Sequence, residues 1–369
     1  LNVRMYECGF GDCFRLREDN QVDLYIDFGI HASSWKGIEK VKRFDQIISD
    51  MGEKKDFLLT HYHDDHFNGV IYMAANSEHR FENVYISDVW DMPESVQVTG
   101  LTLLREIFTR SVISENNTII NFLKSICTRH SRIYFISRNI KFHNNQYIAL
   151  WPKKDYVAKK ALEIFEKLQD KLNKKILKEI ISIASQLNSI VLSYSRDGVM
   201  ENYETQFTEL QERLLKVQTE FEKLYKGNYD NNIQYKLTKF GNYISIVFQN
   251  CHQGNRNVIF TGDFGKKRNW SFIEKNRDNN VEMHPHYDIV KVPHHGTNSY
   301  YHSFRRRIDG MSTLMIPNGY GNSRWNISPN YNRDSIVVKN KTVCAYNKKC
   351  FGVVCPNCIY IYSKFYLDI

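Results

Sequence analysis

Nowhere in the 369 residues is there a run approaching the roughly 18 consecutive apolar side chains that a membrane-crossing helix needs, so no membrane span is predicted. The opening stretch LNVRMYECGFGDCFRL lacks the apolar core of a secretory leader. It also does not begin with Met, which suggests trimming ahead of it. No Gly/Ser- or Pro-rich linker interrupts the chain, which argues for one domain carrying an insertion over a string of separate domains. Eight cysteines could form a disulfide set, but a chain this long does not need such staples, so a reducing, cytoplasmic setting is expected. Acidic groups are outnumbered: the formal charge is +9, which favours an anionic partner such as nucleic acid, nucleotide or acidic lipid. Many basic proteins nevertheless bind no polymer, so charge alone does not decide.

What is present is a strand, loop, helix rhythm, the mark of α/β layers. Val3–Tyr6, Cys13–Leu16 and Val22–Phe28 alternate as strands, and 36–50 reads as a helix with Ile38, Val41, Phe44, Ile47 and Ile48 on one side. Further strands are expected at 57–60, 84–86, 132–135 and 147–150, with helices at 101–109 and 118–128. A long helix is predicted over 157–183, then a short strand at 189–193. Tyr203, Phe207, Leu210, Leu214, Val217, Phe221 and Leu224 recur at alternating steps of four and three. That stripe either packs on its own domain or forms a helical hairpin or homodimer contact. Strands return at 243–248, 258–260, 287–292, 311–316 and 342–345. The expected division is 1–155 and 236–335 as two halves of one catalytic domain, 156–235 as a largely helical insertion with its core strand near 189–193, and 336–369 as a Cys-rich tail.

HYHDDH follows the apolar run Phe57-Leu58-Leu59. In extended backbone, residues two apart point the same way, so His61 and His63 can face one ion. A turn then brings Asp65 and His66 to a neighbouring point. Imidazole with carboxylate suits zinc, and also manganese or iron. Two later strand ends carry matching groups: Asp263 in TGD, placed to bridge two ions, and His294-His295 in PHHG. One of these two histidines would complete the second metal, and the other would contact substrate or protonate a leaving group.

With these motifs in order, the chain resembles a metallo-β-lactamase-fold hydrolase, and within that superfamily the soluble domain of the ComEC/Rec2 competence proteins. The matching pieces are Gly9-Phe10-Gly11-Asp12, Tyr25-Ile26-Asp27-Phe28-Gly29, His61 to His66, Ala149-Leu150-Trp151-Pro152, Asn188 to Leu192, Phe260-Thr261-Gly262-Asp263 and Lys291 to Thr297. The resemblance implies an αββα sandwich of two mixed sheets with external helices and a dinuclear metal site at one edge. It also implies roles: His61 and His63 on the first metal, Asp65 and His66 on the second, Asp263 bridging, His295 as the preferred second-metal ligand and His294 beside the substrate. Asp27 would orient ligand histidines from behind them. One departure is visible. The strand end where many superfamily members carry another metal histidine is here Leu150-Trp151-Pro152, which offers no ligand.

The expected function is a metal-dependent phosphodiesterase, a nuclease acting through a metal-activated hydroxide with Asp65, Asp263 and His294 as its catalytic groups. Lys266, Lys267 and Arg268, with Arg305, Arg306 and Arg307, would serve phosphate backbones, and Tyr300, Tyr301 and Trp325 could stack on bases. The competing readings are a hydrolase of a small nucleotide or other ester, and a non-enzymatic scaffold that binds a protein partner through the helical insertion. Cys344, Cys350, Cys355 and Cys358 could hold an additional structural zinc, remain reduced thiols, or take a redox or disulfide role.

Overall fold

Alternation governs the first three strands. Val3, Met5, Phe14, Leu16, Leu24 and Ile26 lie two apart within their strands, and all enter one buried apolar cluster. Tyr6, Cys13 and Tyr25 face the opposite cluster. The computed structural model describes all residues except 19–21, 33, 35–36, 110–115, 199–201, 226–229, 252–255, 266, 276–280, 319–326, 329, 332–335, 340–357, 361–365 and 369. At 267–268, 336–339, 358–360 and 366–367 only the backbone is described.

The chain is mixed α/β with two mixed sheets. The first contains β1 (Asn2–Tyr6), β2 (Cys13–Arg17), β3 (Asp23–Phe28), β4 (Lys55–Leu58), β5 (Asn83–Ser87) and β6 (Arg132–Ile136), flanked on the β1 side by the last strand. The second contains β7 (Lys141–Phe142), β8 (Tyr147–Trp151), β9 (Val247–Asn250), β10 (Val258–Phe260), β11 (Ile289–Lys291), β12 (Thr313–Ile316), β13 (Ile336–Lys339) and β14 (Cys358–Tyr360). The last strand, β15 (Tyr366–Asp368), pairs antiparallel with β1. Strands β3 to β6 are parallel, as are β10 to β14. The shared cluster joins Val3, Phe14 and Leu58 of one sheet to Ala149, Phe248 and Phe260 of the other, so the sheets pack face to face. Their outer faces meet separate apolar clusters.

Among the described residues the helices are α1 (Ile38–Ser49), α2 (Asn68–Asn76), α3 (Ser95–Phe108), α4 (Ile119–Thr128), α5 (Lys154–Gln169), α6 (Lys174–Asp197), α7 (Tyr203–Tyr225), α8 (Asn231–Tyr243) and α9 (Lys267–Glu274). Residues of α1 to α8 join the cluster on the outer face of the first sheet, while Trp270 and Ile273 of α9 join that of the second.

Several expectations are corrected. The strand near 189–193 does not exist: those residues lie inside α6, where Leu187, Ile190, Val191 and Tyr194 are buried at helical spacing. The β-branched pair there packs as one helix face, so tertiary packing outweighs local β preference. The Asn188–Leu192 piece of the resemblance goes with it. The helix expected over 157–183 is two, broken between Gln169 and Lys174. Helix α8 runs across the expected 235/236 boundary, so the strand expected from 243 begins at Val247. In α1, Ile38 and Val41 are exposed, and only Phe44, Ile47 and Ile48 are buried. The α7 stripe is buried from Tyr203 to Phe221 against α6 and α4, leaving Leu224 exposed, so it packs within the chain. By length and composition α6 alone among the described helices could cross a membrane, but half of its apolar window is buried within the protein.

Candidate metal centre

The C-terminal ends of parallel strands from both sheets meet at one edge. Beyond β4 lie Thr60 and the histidine loop; beyond β10 lies Asp263; beyond β11 lies His294-His295. Strand β2 is antiparallel to β3, so its start brings Asp12 to the same edge, where Gly29 N–H donates to Asp12 O at 3.1 Å. The approach is tight. A Cβ on Gly29 would come within 2.3 Å of the Asp65 carbonyl carbon, so only glycine fits there.

One carboxylate oxygen is the focus. Around Asp263 Oδ2 stand four imidazole Nε2 atoms: His295 at 3.6 Å, His66 and His294 at 3.7 Å, and His61 at 3.9 Å. These separations are too long for hydrogen bonds. They are near the ~3.3 Å between two ligands that each sit ~2.0 Å from one tetrahedral ion. Asp65 adds Oδ1 at 3.9 Å from His66 Nε2 and Oδ2 at 3.7 Å from His295 Nε2. Two sets of ligand atoms, His61/His66/Asp263 and Asp65/His66/His295, each fall within 4.8 Å of one another. The Nε2 atoms of His61, His63 and His66 are buried without a hydrogen-bond partner, as donors awaiting a cation would be.

The other faces of these rings are fixed from behind. His66 Nδ1 bonds Asp27 Oδ2 at 2.8 Å. Thr60 places its N–H on Asp27 Oδ1 at 2.7 Å and its hydroxyl on Oδ2 at 2.8 Å, leaving the hydroxyl oxygen to accept from His61 Nδ1 at 3.1 Å. Asp27 therefore orients His66 directly and His61 through Thr60, as metal-binding histidines require. His295 Nδ1 donates to Pro317 O at 2.8 Å. His294 Nδ1 bonds Thr297 Oγ1 at 2.9 Å, and its ring stacks on Tyr300 at 4.1 Å. His294 and His295 both hold positive φ, 47° and 53°, a backbone state that non-glycine residues adopt at a cost. Of the two, His295 also faces Asp65, which makes it the better second ligand.

Electrostatics favour ionised carboxylates. Burial alone would raise Asp263, but His295, His294, His66 and Lys291 hold it well below the usual range. Asp65 is held down in the same way by His66, His295 and His31 against its burial. Burial, aided by His66, pushes His61 well below its ordinary value, and burial with Arg105 does the same to His63, so both are neutral and ready to ligate.

His63 is set apart. Its ring lies 4.4 Å from that of His61, but it belongs to none of the close ligand sets, and a Cβ on Gly241 of α8 would fall 2.2 Å from its Nε2. The helical layer thus closes directly over the histidine loop. Leu150 and Trp151 are buried in the outer apolar cluster, and Trp151 Nε1 donates to Tyr243 O at 2.7 Å, so that strand end supplies packing and no ligand.

Sequence reasoning missed two groups. Lys291 ends β11 with its ammonium buried, 2.5 Å from Asp12 Oδ2, 2.8 Å from Gly262 O and 3.4 Å from Asp263 Oδ1. It thereby holds one oxygen of Asp263 while the other faces the histidines. Asp12 answers that charge and lies 3.3 Å from His295 Nδ1. Both lie in motifs noticed in the sequence, GFGD and KVPHHG, but nothing in their spacing distinguishes a buried ion pair from a surface one.

Of the expected basic groups, Arg305 and Arg307 are engaged by partners within the chain. Arg305 pairs with Glu274 at 2.8 Å. Arg307 donates to the carbonyls of Met283 and His284, and its own carbonyl accepts from Tyr287 N–H, at the opposite end of β11 from His294. Arg306 is exposed. Tyr301 packs on Tyr331. Lys266, Trp325, Cys344, Cys350 and Cys355 lie outside the described residues, as do the side chains of Lys267, Arg268 and Cys358. Cys8, Cys13, Cys127 and Cys251 are free thiols. No protein-family model matches the chain, and no curated protein matches it.

Proposed function

We propose that this chain is a metal-dependent hydrolase of phosphodiesters built on the metallo-β-lactamase plan. The observation that carries the reading is the gathering of four imidazoles around a single oxygen of Asp263, drawn from loops more than two hundred residues apart, with Asp65 beside two of those rings. Two face-to-face sheets with helices outside them agree with that plan. His61, His66, Asp65, Asp263 and His295 would hold a pair of divalent ions, zinc or manganese, with His63 the further ligand of the first. Such a pair supplies Lewis acidity and a water acid enough to attack near neutral pH.

The protein's own part is positioning. Lys291 and Ser245 fix Asp263, and Asp27 with Thr60 fixes two rings, so little reorganisation is left for the reaction. His294 is the candidate proton donor to the leaving oxygen. Burial lowers it to about 4, so near neutrality it starts unprotonated and must take its proton during turnover. A net charge of +9 supports a nucleic acid as the substrate.

A second reading, a small nucleotide ester, draws on the depth of the site. His61 and His66 are fully buried and Asp263 is 2% exposed, which suits a strand end or a small molecule better than continuous duplex. The test for both is to incubate the zinc- or manganese-loaded chain with single-stranded DNA, duplex DNA, RNA and cyclic dinucleotides, beside an Asp263→Asn control. Cleavage of a phosphodiester, reduced by about 100-fold or more in the control, is expected, because Asn cannot supply the shared negative charge. Equal turnover in the control, or no metal uptake by the wild type, would sink the reading.

A further inference from the structure

Helix α3 sends one charged side chain to the histidine loop. Arg105 is 8% exposed, and its Nη2 reaches Asp64 Oδ1 at a long 3.3 Å. Its Nε and Nη1 are buried and have no hydrogen-bond partner. A guanidinium presents five N–H donors in a planar fork, and buried polar groups of native proteins are almost always met. The adjacent acid does not meet these: Glu106 turns its Oε1 to the Ile119 N–H at 2.7 Å. Asp64 stands between His63 and Asp65, so through Nη2 the guanidinium touches the loop that carries the candidate metal ligands.

We propose that Arg105 receives a non-bridging phosphoryl oxygen of the substrate and makes this a site for phosphate esters over carboxylic esters. The group with chemistry to match is a tetrahedral oxyanion. A phosphodiester carries two anionic non-bridging oxygens, so one can meet the guanidinium while the other faces a neighbouring cation site, whereas a carboxylic ester offers a single uncharged carbonyl oxygen. Arginine is suited to the task because its fork is planar and stays charged at any working pH. The inference deepens the phosphodiesterase reading and rests on it for the neighbouring cations, but phosphate binding at Arg105 is measurable without turnover.

The experiment titrates inorganic phosphate into the full chain, metal-free and zinc-loaded, for the wild type, Arg105→Lys and Arg105→Met, with acetate as a parallel arm. Zinc content and the melting curve of each variant are recorded. Phosphate is expected to bind the wild type more tightly than acetate does. Binding should weaken about tenfold or more in Arg105→Met and by less in Arg105→Lys, which keeps a charge but loses the fork. Zinc content should not change. Unchanged phosphate affinity in both variants, equal affinity for acetate, or no phosphate binding by the wild type overturns the proposal. So does a loss of zinc in Arg105→Met with metal-free phosphate affinity intact, since Arg105 would then only support the loop. If Arg105→Met fails to fold, Arg105→Lys decides. A wild type that takes up no zinc sinks the hydrolase reading, while the metal-free titration still reads Arg105.

Discussion

Asp27 shows how much of the candidate site depends on side chains that would touch no ion. It is fully buried, has positive φ, and accepts from Thr60 and His66. Burial raises its carboxyl and His66 draws it back. Replacing it with Asn keeps the shape but gives His66 a partner that no longer strengthens its basicity. Zinc affinity, measured by competition with a chromogenic chelator, should fall about 10- to 100-fold while the melting curve keeps its form; an unchanged affinity would remove Asp27 from its assigned role. At this scale the sequence was most informative about groups inside a dense motif. HYHDDH, Asp263 and His295 announce themselves by type and by position after apolar runs. Lys291 and Arg105 do not, because a lone basic residue in a strand or helix is ordinarily solvated, and only the surrounding fold takes these two out of water.

At the scale of elements, the helical layer constrains the site as much as the sheets do. Helix α8 presses Gly241 against His63 Nε2. In Gly241→Ala, the new methyl group must displace the ring or the helix, since the contact would be 2.2 Å. A loss of about 1–3 kcal/mol in urea unfolding is expected, with a lower zinc content, and a variant as stable and as well loaded as wild type would show that the helix yields freely. Helix α4 depends on a different acid. Glu106 Oε1 accepts from Ile119 N–H at its first turn, and burial pushes the carboxyl up to about 8 against that bond and Arg105. Below about 4.5 the group is protonated in both states and contributes no pH dependence. Between 4.5 and about 8 the unfolded chain gives up a proton that the folded chain keeps, so stability falls as pH rises. Glu106→Gln should remove a slope of at most about 1.4 kcal/mol per pH unit across that window, read from urea midpoints at several pH values. An identical slope in the variant would count against it. The misread segment at 189–193 belongs to this scale too. A run of Ile190, Val191 and Leu192 satisfies strand and helix equally, and only partners such as Thr99, which donates to Asn188 at 2.7 Å, decide between them.

Across the whole molecule, the candidate ligand atoms are divided between the two sheets: His61, Asp65 and His66 follow the first, Asp263 and His295 the second. An ion held by both sets binds the folded chain and not the unfolded one, which lacks that meeting point. Zinc at a hundred times its Kd should therefore raise stability by about 2.7 kcal/mol, and a chelator should reverse the gain in a thermal melt. A melting temperature indifferent to both would mean that the sheets are not joined there. The α/β class and most strands outside the helical insertion were legible because alternation and apolar runs repeat along the chain. Where one sheet meets the other was not legible, because that depends on pairings between residues hundreds of positions apart.

Strand β15 lies along β1, and Arg4 grips Asp368 through Nε and Nη2 at 2.6 and 2.7 Å. The end of the chain thus screens the outer rim of the sheet in which its beginning lies. Shorn of those few residues, β1 would present bare backbone donors and acceptors, an invitation to strand exchange between neighbouring copies. With β15 in place, that rim is a strand of three residues, Tyr366–Asp368, a shorter edge than the five residues of β1.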